Sequence, residues 1–228
     1  MSEWWTYRPG DFLLFSPRVY WRIFELQNAA VWPLQLGTFI AGFAIIFVVI
    51  ARPNGKHRWI AFVLAVLWTF VGWTFVWHRY ASINWAMAYV APFFVLQSLL
   101  LLIAVTVPTG LVFGRRGFAR WSGGLLTSIA LFLYPALPYL SGSSLPNAEV
   151  FGIAPDPTAI GTMGLLLMAR GSLVPVLFLV PAFWCLITAT TLWAMESPEA
   201  WLPSSAIALT LVSAVWSRQS RSSPHGGT

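Results

Sequence analysis

Charge is what this sequence has least of. Asp, Glu, Lys and Arg make up 9% of its 228 residues, against about 25% in a soluble domain. A chain with so few charges has little water-facing surface to build. With 58% hydrophobic residues and a mean hydropathy of +0.73, it reads as a polytopic membrane protein. Cysteine is nearly missing too. Cys185 stands alone, which excludes an intrachain disulfide, a thiol relay and any Cys-pair metal site; it is expected as a small buried apolar residue. There is no nucleophile elbow, no HExxH, no phosphate loop and no pair of acids at a fixed helical offset. No catalytic residues, no metal site, no cofactor and no enzymatic activity are therefore expected. The lack of an evident internal repeat weighs against an inverted-repeat transporter. Met1 to Gly10 has no apolar core or small-residue cleavage site, so no cleavable signal peptide is expected.

The net charge of +6 and pI near 10.1 do not point to nucleic acid. The basic residues sit in short loops between apolar runs, where they orient a membrane protein. The partners implied are the lipid bilayer and either a membrane-protein partner or a second copy of the chain.

The chain divides into an N-terminal interfacial segment (1–30), a transmembrane bundle (31–217) and a polar C-terminal tail (218–228) expected to be disordered. In the first, Ser16-Pro17 reads as an N-cap with Pro at the first helical position. Val19, Ile23 and Leu26 share one helical face; Arg18, Arg22 and Glu25 share another. With Trp4, Trp5, Tyr7, Tyr20 and Trp21, this is an amphipathic helix lying in the membrane interface, or alternatively a cap packed on the loops. The bundle is all-α, with about seven spans: Val31 to Ala51, Trp59 to Trp77, Trp85 to Phe113, Trp121 to Leu140, a short helix from Thr158 to Ala169, Leu173 to Met195, and Ser204 to Trp216.

Charge orients it. With seven crossings and the N-terminus outside, nine basic residues fall inside (Arg52, Lys56, Arg58, Arg115, Arg116, Arg120, Arg170, Arg218, Arg221) and four outside (Arg8, Arg18, Arg22, Arg79). All seven acids fall outside. If the short helix re-enters without crossing, the asymmetry vanishes, so the positive-inside rule favours seven crossings. Trp32, Trp77, Trp85, Trp193 and Trp201 then mark outer ends, and Trp59, Trp121 and Trp216 inner ends.

The short helix is the unusual element. Twelve residues rise about 18 Å, while the hydrocarbon core is about 30 Å thick. Extended backbone from Phe151 to Pro157 would make up the depth, shielded by spans one to three. Asp156 lies between Pro155 and Pro157. It is either the N-cap of the short helix or an acid that binds a cation or carries a proton near the outer mouth. His78, Glu25, Asp156 and Thr158 form the candidate polar site; the first three, on the outer side, would make a mixed N/O cation site if the fold brought them together. Gln35, Gln97, Thr188, Thr190 and Thr191 are expected to hydrogen-bond neighbouring helices. Gly161 and Gly164 are expected to permit close helix approach.

The stretches EWWTYRPGDFLLFSPRVYWR and FGIAPDPTAIGTMGLLL resemble a family of uncharacterised bacterial inner-membrane proteins, some loosely labelled permease. The resemblance covers nearly the whole chain and implies a multi-pass inner-membrane protein. That family has a Pro-x-Pro-Thr element before a short apolar helix, with Cys in some members between the prolines; here that position is Asp156, which removes any thiol role. The reading is a small permease-like protein for an unidentified solute or ion; the alternative is an accessory or assembly subunit of a larger membrane complex.

Overall fold

The computed structural model describes residues 10, 13–51, 58–140 and 145–222, with the backbone alone described at 145 and 217–222. Expectations for Trp4, Trp5 and Tyr7, for the basic turn at 52–57 and for the tail at 223–228 lie outside these residues.

Eight helical segments follow one another: α1 Pro17–Ala30, α2 Leu34–Ala51, α3 Arg58–Ile83, α4 Met87–Thr106, α5 Phe118–Leu140, α6 Pro155–Met168, α7 Val174–Ala194 and α8 Trp201–Ser222. Among the described residues the exception is a two-residue antiparallel ladder. In it β1 (Val112–Phe113) pairs with β2 (Ala169–Arg170). The third span was expected to continue to Phe113; the helix stops at Thr106, ahead of Pro108, and the chain turns into β1. The expected tail is helical as far as Ser222.

Five segments are long and apolar enough to cross a membrane: α2, α3, α4, α5 and α7. The sequence suggested about seven. Of the other two, α6 has only 14 residues, and α8 is diluted by Ser204, Ser205, Ser213 and the polar run from Ser217. The eight tryptophans assigned to the two interfacial belts are all exposed, whereas Trp68 and Trp184 are buried.

Two of the long helices widen by a π-type turn, α3 over Gly72–Tyr80 and α5 over Ile129–Leu133. In α5 the cause lies just downstream. Pro135 has no N–H to give to the preceding turn, and Tyr134 N–H instead reaches back to the Ile129 carbonyl. The Tyr134 ring at the end of this turn is buried.

Helix α1 begins as expected: the Ser16 hydroxyl accepts from Val19 N–H at 3.4 Å, with Pro17 next. Tyr20, Ile23, Phe24 and Gln27 point inward, while Val19 and Leu26 are exposed. The aromatic pattern outweighs the aliphatic one, because Tyr20 stacks on Phe15 and meets Tyr80 edge-on. Gln27 donates to Thr74 Oγ1 and accepts from Arg79 Nε. Asn28 donates to the carbonyls of Pro146 and Ala148. The helix thus sits on α3 and on the loop before α6.

Helix α6 is the centre of the molecule. All 14 of its residues are buried. It runs antiparallel to α5: a Cβ at Gly164 would lie 2.6 Å from the Gly123 carbonyl, and one at Gly161 would lie 3.2 Å from the Ala130 methyl. Its far end is tied down where the Met168 carbonyl accepts from Gly114 N–H and Arg115 N–H, beside the β1–β2 ladder. Its partners are chiefly α5, α7 and α8, with α3 reaching it through Trp68. The entry segment before it does pack against the first two spans as expected: a Cβ at Gly152 would meet Leu67 and Thr38, and Phe151 lies against Gly42. A helix enclosed by protein on every side need not match the bilayer thickness itself.

Candidate functional site

The entry to α6 departs from the sequence expectation. Phe151 to Ala154 forms a tight turn closed by the Ala154 N–H to Val150 carbonyl bond, with Gly152 at φ +78. It is not an extended strand. Helix starts at Pro155, and the prolines do not break it: the first N–H groups of a helix have no partner inside it, so Pro155 and Pro157 forfeit nothing. The N-cap is Ala154, at φ −104 and ψ 148, with no side-chain cap. Asp156 is one turn-position inside the helix and is not the cap.

Its carboxylate instead points across to α7. Oδ1 accepts from Trp184 Nε1 at 2.6 Å and from Thr188 Oγ1 at 2.7 Å. Trp184 and Thr188 are four residues apart, one turn of helix, so both reach the same oxygen. Oδ2 is buried and makes no hydrogen bond among the described residues. Asp156 as a residue is 2% exposed. A ring chain fixes the indole: Trp184 meets Phe94 and Tyr80 edge-on, and Phe94 packs on Trp68. Deeper along α6, Trp68 Nε1 donates to Thr162 Oγ1, which donates to the Thr158 carbonyl. Thr158 Oγ1 accepts from Gly152 N–H and donates to the Ala154 carbonyl. The Thr158 side chain therefore secures the entry turn.

The remaining candidates stay apart from Asp156. Glu25 pairs with Arg22 on α1. His78 is exposed on α3, its ring edge-on to Trp73. Among the described residues no three His, Cys, Asp or Glu side chains cluster as a metal site, so the mixed cation site of His78, Glu25 and Asp156 is not assembled. Thr188 bonds a neighbouring helix as expected, at Asp156 on α6, while Thr190 and Thr191 bond carbonyls of their own helix. Gln97 donates to the Leu177 carbonyl. Cys185 is buried against Met163 sulfur.

Sequence reasoning missed Glu149. It is 6% exposed with Oε2 unpartnered, in the loop between α5 and α6. It borders a cavity of ≈ 340 Å³ formed with α1, α5 and the turn before α8. Burial holds its carboxyl well above the usual range, and the charges of Asp156 and Glu199 push it further up. The signal available was an acid set directly between Ala148 and Val150-Phe151 in an otherwise polar loop.

The fold brings the resemblance noted in the sequence to a test. A family model matches residues 17–223, from the start of α1 to just past the end of α8. The chain belongs to DUF6064, a family of unknown function. No curated protein and no solved structure matches it. Membership in DUF6064 agrees with an uncharacterised family and extends over every element that builds the Asp156 site.

Proposed function

We propose that this DUF6064 member is a small permease-like protein of the bacterial inner membrane that moves a small solute or ion through its bundle, without enzymatic activity. One observation carries the reading: the carboxylate of Asp156 is buried inside an apolar bundle with one oxygen held by α7 and the other unpartnered among the described residues. An ionisable group in such a place is costly, and intramembrane acids characteristically serve ion or proton pathways. A purely structural role would be better filled by an apolar residue, since a half-satisfied buried polar group destabilises. The helix that carries Asp156 is only 14 residues long and wholly enclosed by protein, so its first turn starts within the bundle.

The topology we propose is seven crossings, N-terminus outside and C-terminus inside. The excess of basic residues on the inner side supports it, and so does the antiparallel run of α6 along α5, which carries the chain from one end of α5 to the other. The cavity beside Glu149 then opens on the outer face.

The test is flux. Purified protein reconstituted in vesicles, under an imposed potential and with a trapped pH dye, should conduct protons or cations faster than empty vesicles. Rates equal to those of empty vesicles across a panel of small ions and solutes would overturn the reading. Purification in mild detergent separates the alternative: a permease runs alone or with copies of itself, whereas an accessory subunit brings a different membrane protein.

A further inference from the structure

The cavity at the outer end of the bundle has a polar character that the Asp156 site does not use. Its wall comes from four places: Pro17 and Trp21 on α1, Tyr134 and Pro138 on α5, Asn147 and Glu149 in the loop before α6, and the turn Met195–Glu199 before α8. Three polar atoms on this wall are buried and lack hydrogen-bond partners among the described residues: Tyr134 Oη, Asn147 Oδ1 and Glu149 Oε2. Tyr134 is 2% exposed and Glu149 6%. Asn147 Oδ1 can only accept a hydrogen bond, Tyr134 Oη can accept one, and Glu149 Oε2 accepts once its carboxyl has given up its proton. Glu196 and Glu199 stand on the same wall, and among the described residues no Lys or Arg does. Glu199 already accepts from the Ser197 hydroxyl, which leaves Glu149 as the buried acceptor still in need of a donor.

We infer that this cavity binds a small organic cation bearing N–H donors, a primary ammonium of a few carbons, with its nitrogen on Glu149 Oε2 and Asn147 Oδ1. Unpartnered buried acceptors call for a donor-rich occupant, because each costs its full desolvation while unpaired. The carboxylates set the sign of the charge. The volume is far more than a bare ion needs, since one water occupies about 30 Å³ of liquid, and among the described residues no three-ligand metal set exists. Trp21, Pro17 and Pro138 supply apolar walls for a short alkyl chain, and the Trp21 face favours a cation.

This names a class for the solute of the transport reading, but binding in detergent is measured without any flux, so either idea can fail alone. The experiment is calorimetric titration of the full-length protein in mild detergent with n-butylammonium, at constant ionic strength in sodium chloride. Butan-1-ol and butyrate serve as neutral and anionic counterparts. The expected result is saturable one-to-one binding of the amine, with neither counterpart binding. Glu149→Gln should weaken it at least about tenfold, the scale of one charge-assisted hydrogen bond, while Glu25→Gln on the outer face of α1 leaves it unchanged. If Glu149→Gln is not monodisperse, Asn147→Leu provides the same test and should also weaken binding. No saturation by the amine, equal binding of butan-1-ol, or full affinity in Glu149→Gln or Asn147→Leu would overturn the inference.

Discussion

Asp156 and Trp184 are joined by a 2.6 Å hydrogen bond from the indole N–H to Oδ1, linking the first turn of the central helix to the middle of α7. Thr188 donates to the same oxygen. Replacing Thr188 by Val keeps the shape and removes one donor from a buried carboxylate, which costs about 1–3 kcal/mol. Thr188→Val should therefore lower the thermal midpoint in mild detergent. Thr190→Val is the control, because that hydroxyl is exposed and bonds its own helix at the Leu186 carbonyl. Equal effects of the two changes would show that Thr188 contributes no more than an ordinary helix threonine.

Gly164 is a second point of close approach. A methyl there would lie 2.5 Å from Thr127 Oγ1 and 2.6 Å from the Gly123 carbonyl, whereas one at Gly124 meets nothing within 4 Å. Backbone cannot yield as a side-chain tip can. Gly164→Ala should destabilise by about 1–3 kcal/mol, the usual cost of overpacking, and Gly124→Ala should be near neutral. Unfolding of the two variants in detergent, compared directly, checks this. A neutral Gly164→Ala would mean that α5 and α6 are not in backbone contact.

Topology has its own test. The topology proposed from the basic-residue asymmetry has the end of α8 inside. A reporter active only in the cytoplasm, fused after Thr228, should work, and a periplasm-active one should be silent. The reverse pattern would mean that α6 does not cross.

Glu149 gives the pH dependence. Burial, then Asp156, then Glu199, raise its carboxyl above the ordinary 4.5. The folded protein therefore holds a proton that the unfolded chain releases at lower pH. The stability this group contributes is complete below about pH 4.5 and is lost as pH rises through the folded value. Glu149→Gln cannot ionise. The midpoint of the native chain minus that of Glu149→Gln should fall as pH is raised from about 4.5 to about 8. A difference that stays flat would contradict a raised carboxyl.

The helices were legible because long apolar runs leave few alternatives, and Ser16-Pro17 announced the start of α1 through local chemistry alone. The site was legible only in outline. Asp156 stood out as an acid beside an apolar run, but its partners Trp184 and Thr188 lie 28 and 32 residues away, and nothing local marks them. The cap reading failed because either proline can take the first helical position; the turn around Gly152 puts Pro155 there, which makes Ala154 the cap, two residues ahead of Asp156. Which residues of α1 pack inward, left open in the sequence between lipid and bundle, was decided in a related way. Val19 and Leu26 fit the aliphatic period, yet Tyr20 and Phe24 found aromatic partners on α3. Glu149 depended wholly on tertiary packing, since α1, α5 and the turn before α8 meet over it only in the folded chain.

The central claim is that the Asp156 carboxylate carries charge through the bundle. Asparagine keeps an oxygen for Trp184 and Thr188 and almost the same volume, but it cannot ionise. The most direct measurement is ion flux in vesicles reconstituted with matched amounts of the native chain and of Asp156→Asn, each first shown to be monodisperse. The account predicts normal assembly of the variant and flux reduced to that of empty vesicles. Flux in Asp156→Asn equal to the native rate would contradict it and leave Asp156 as a structural hydrogen-bond acceptor alone.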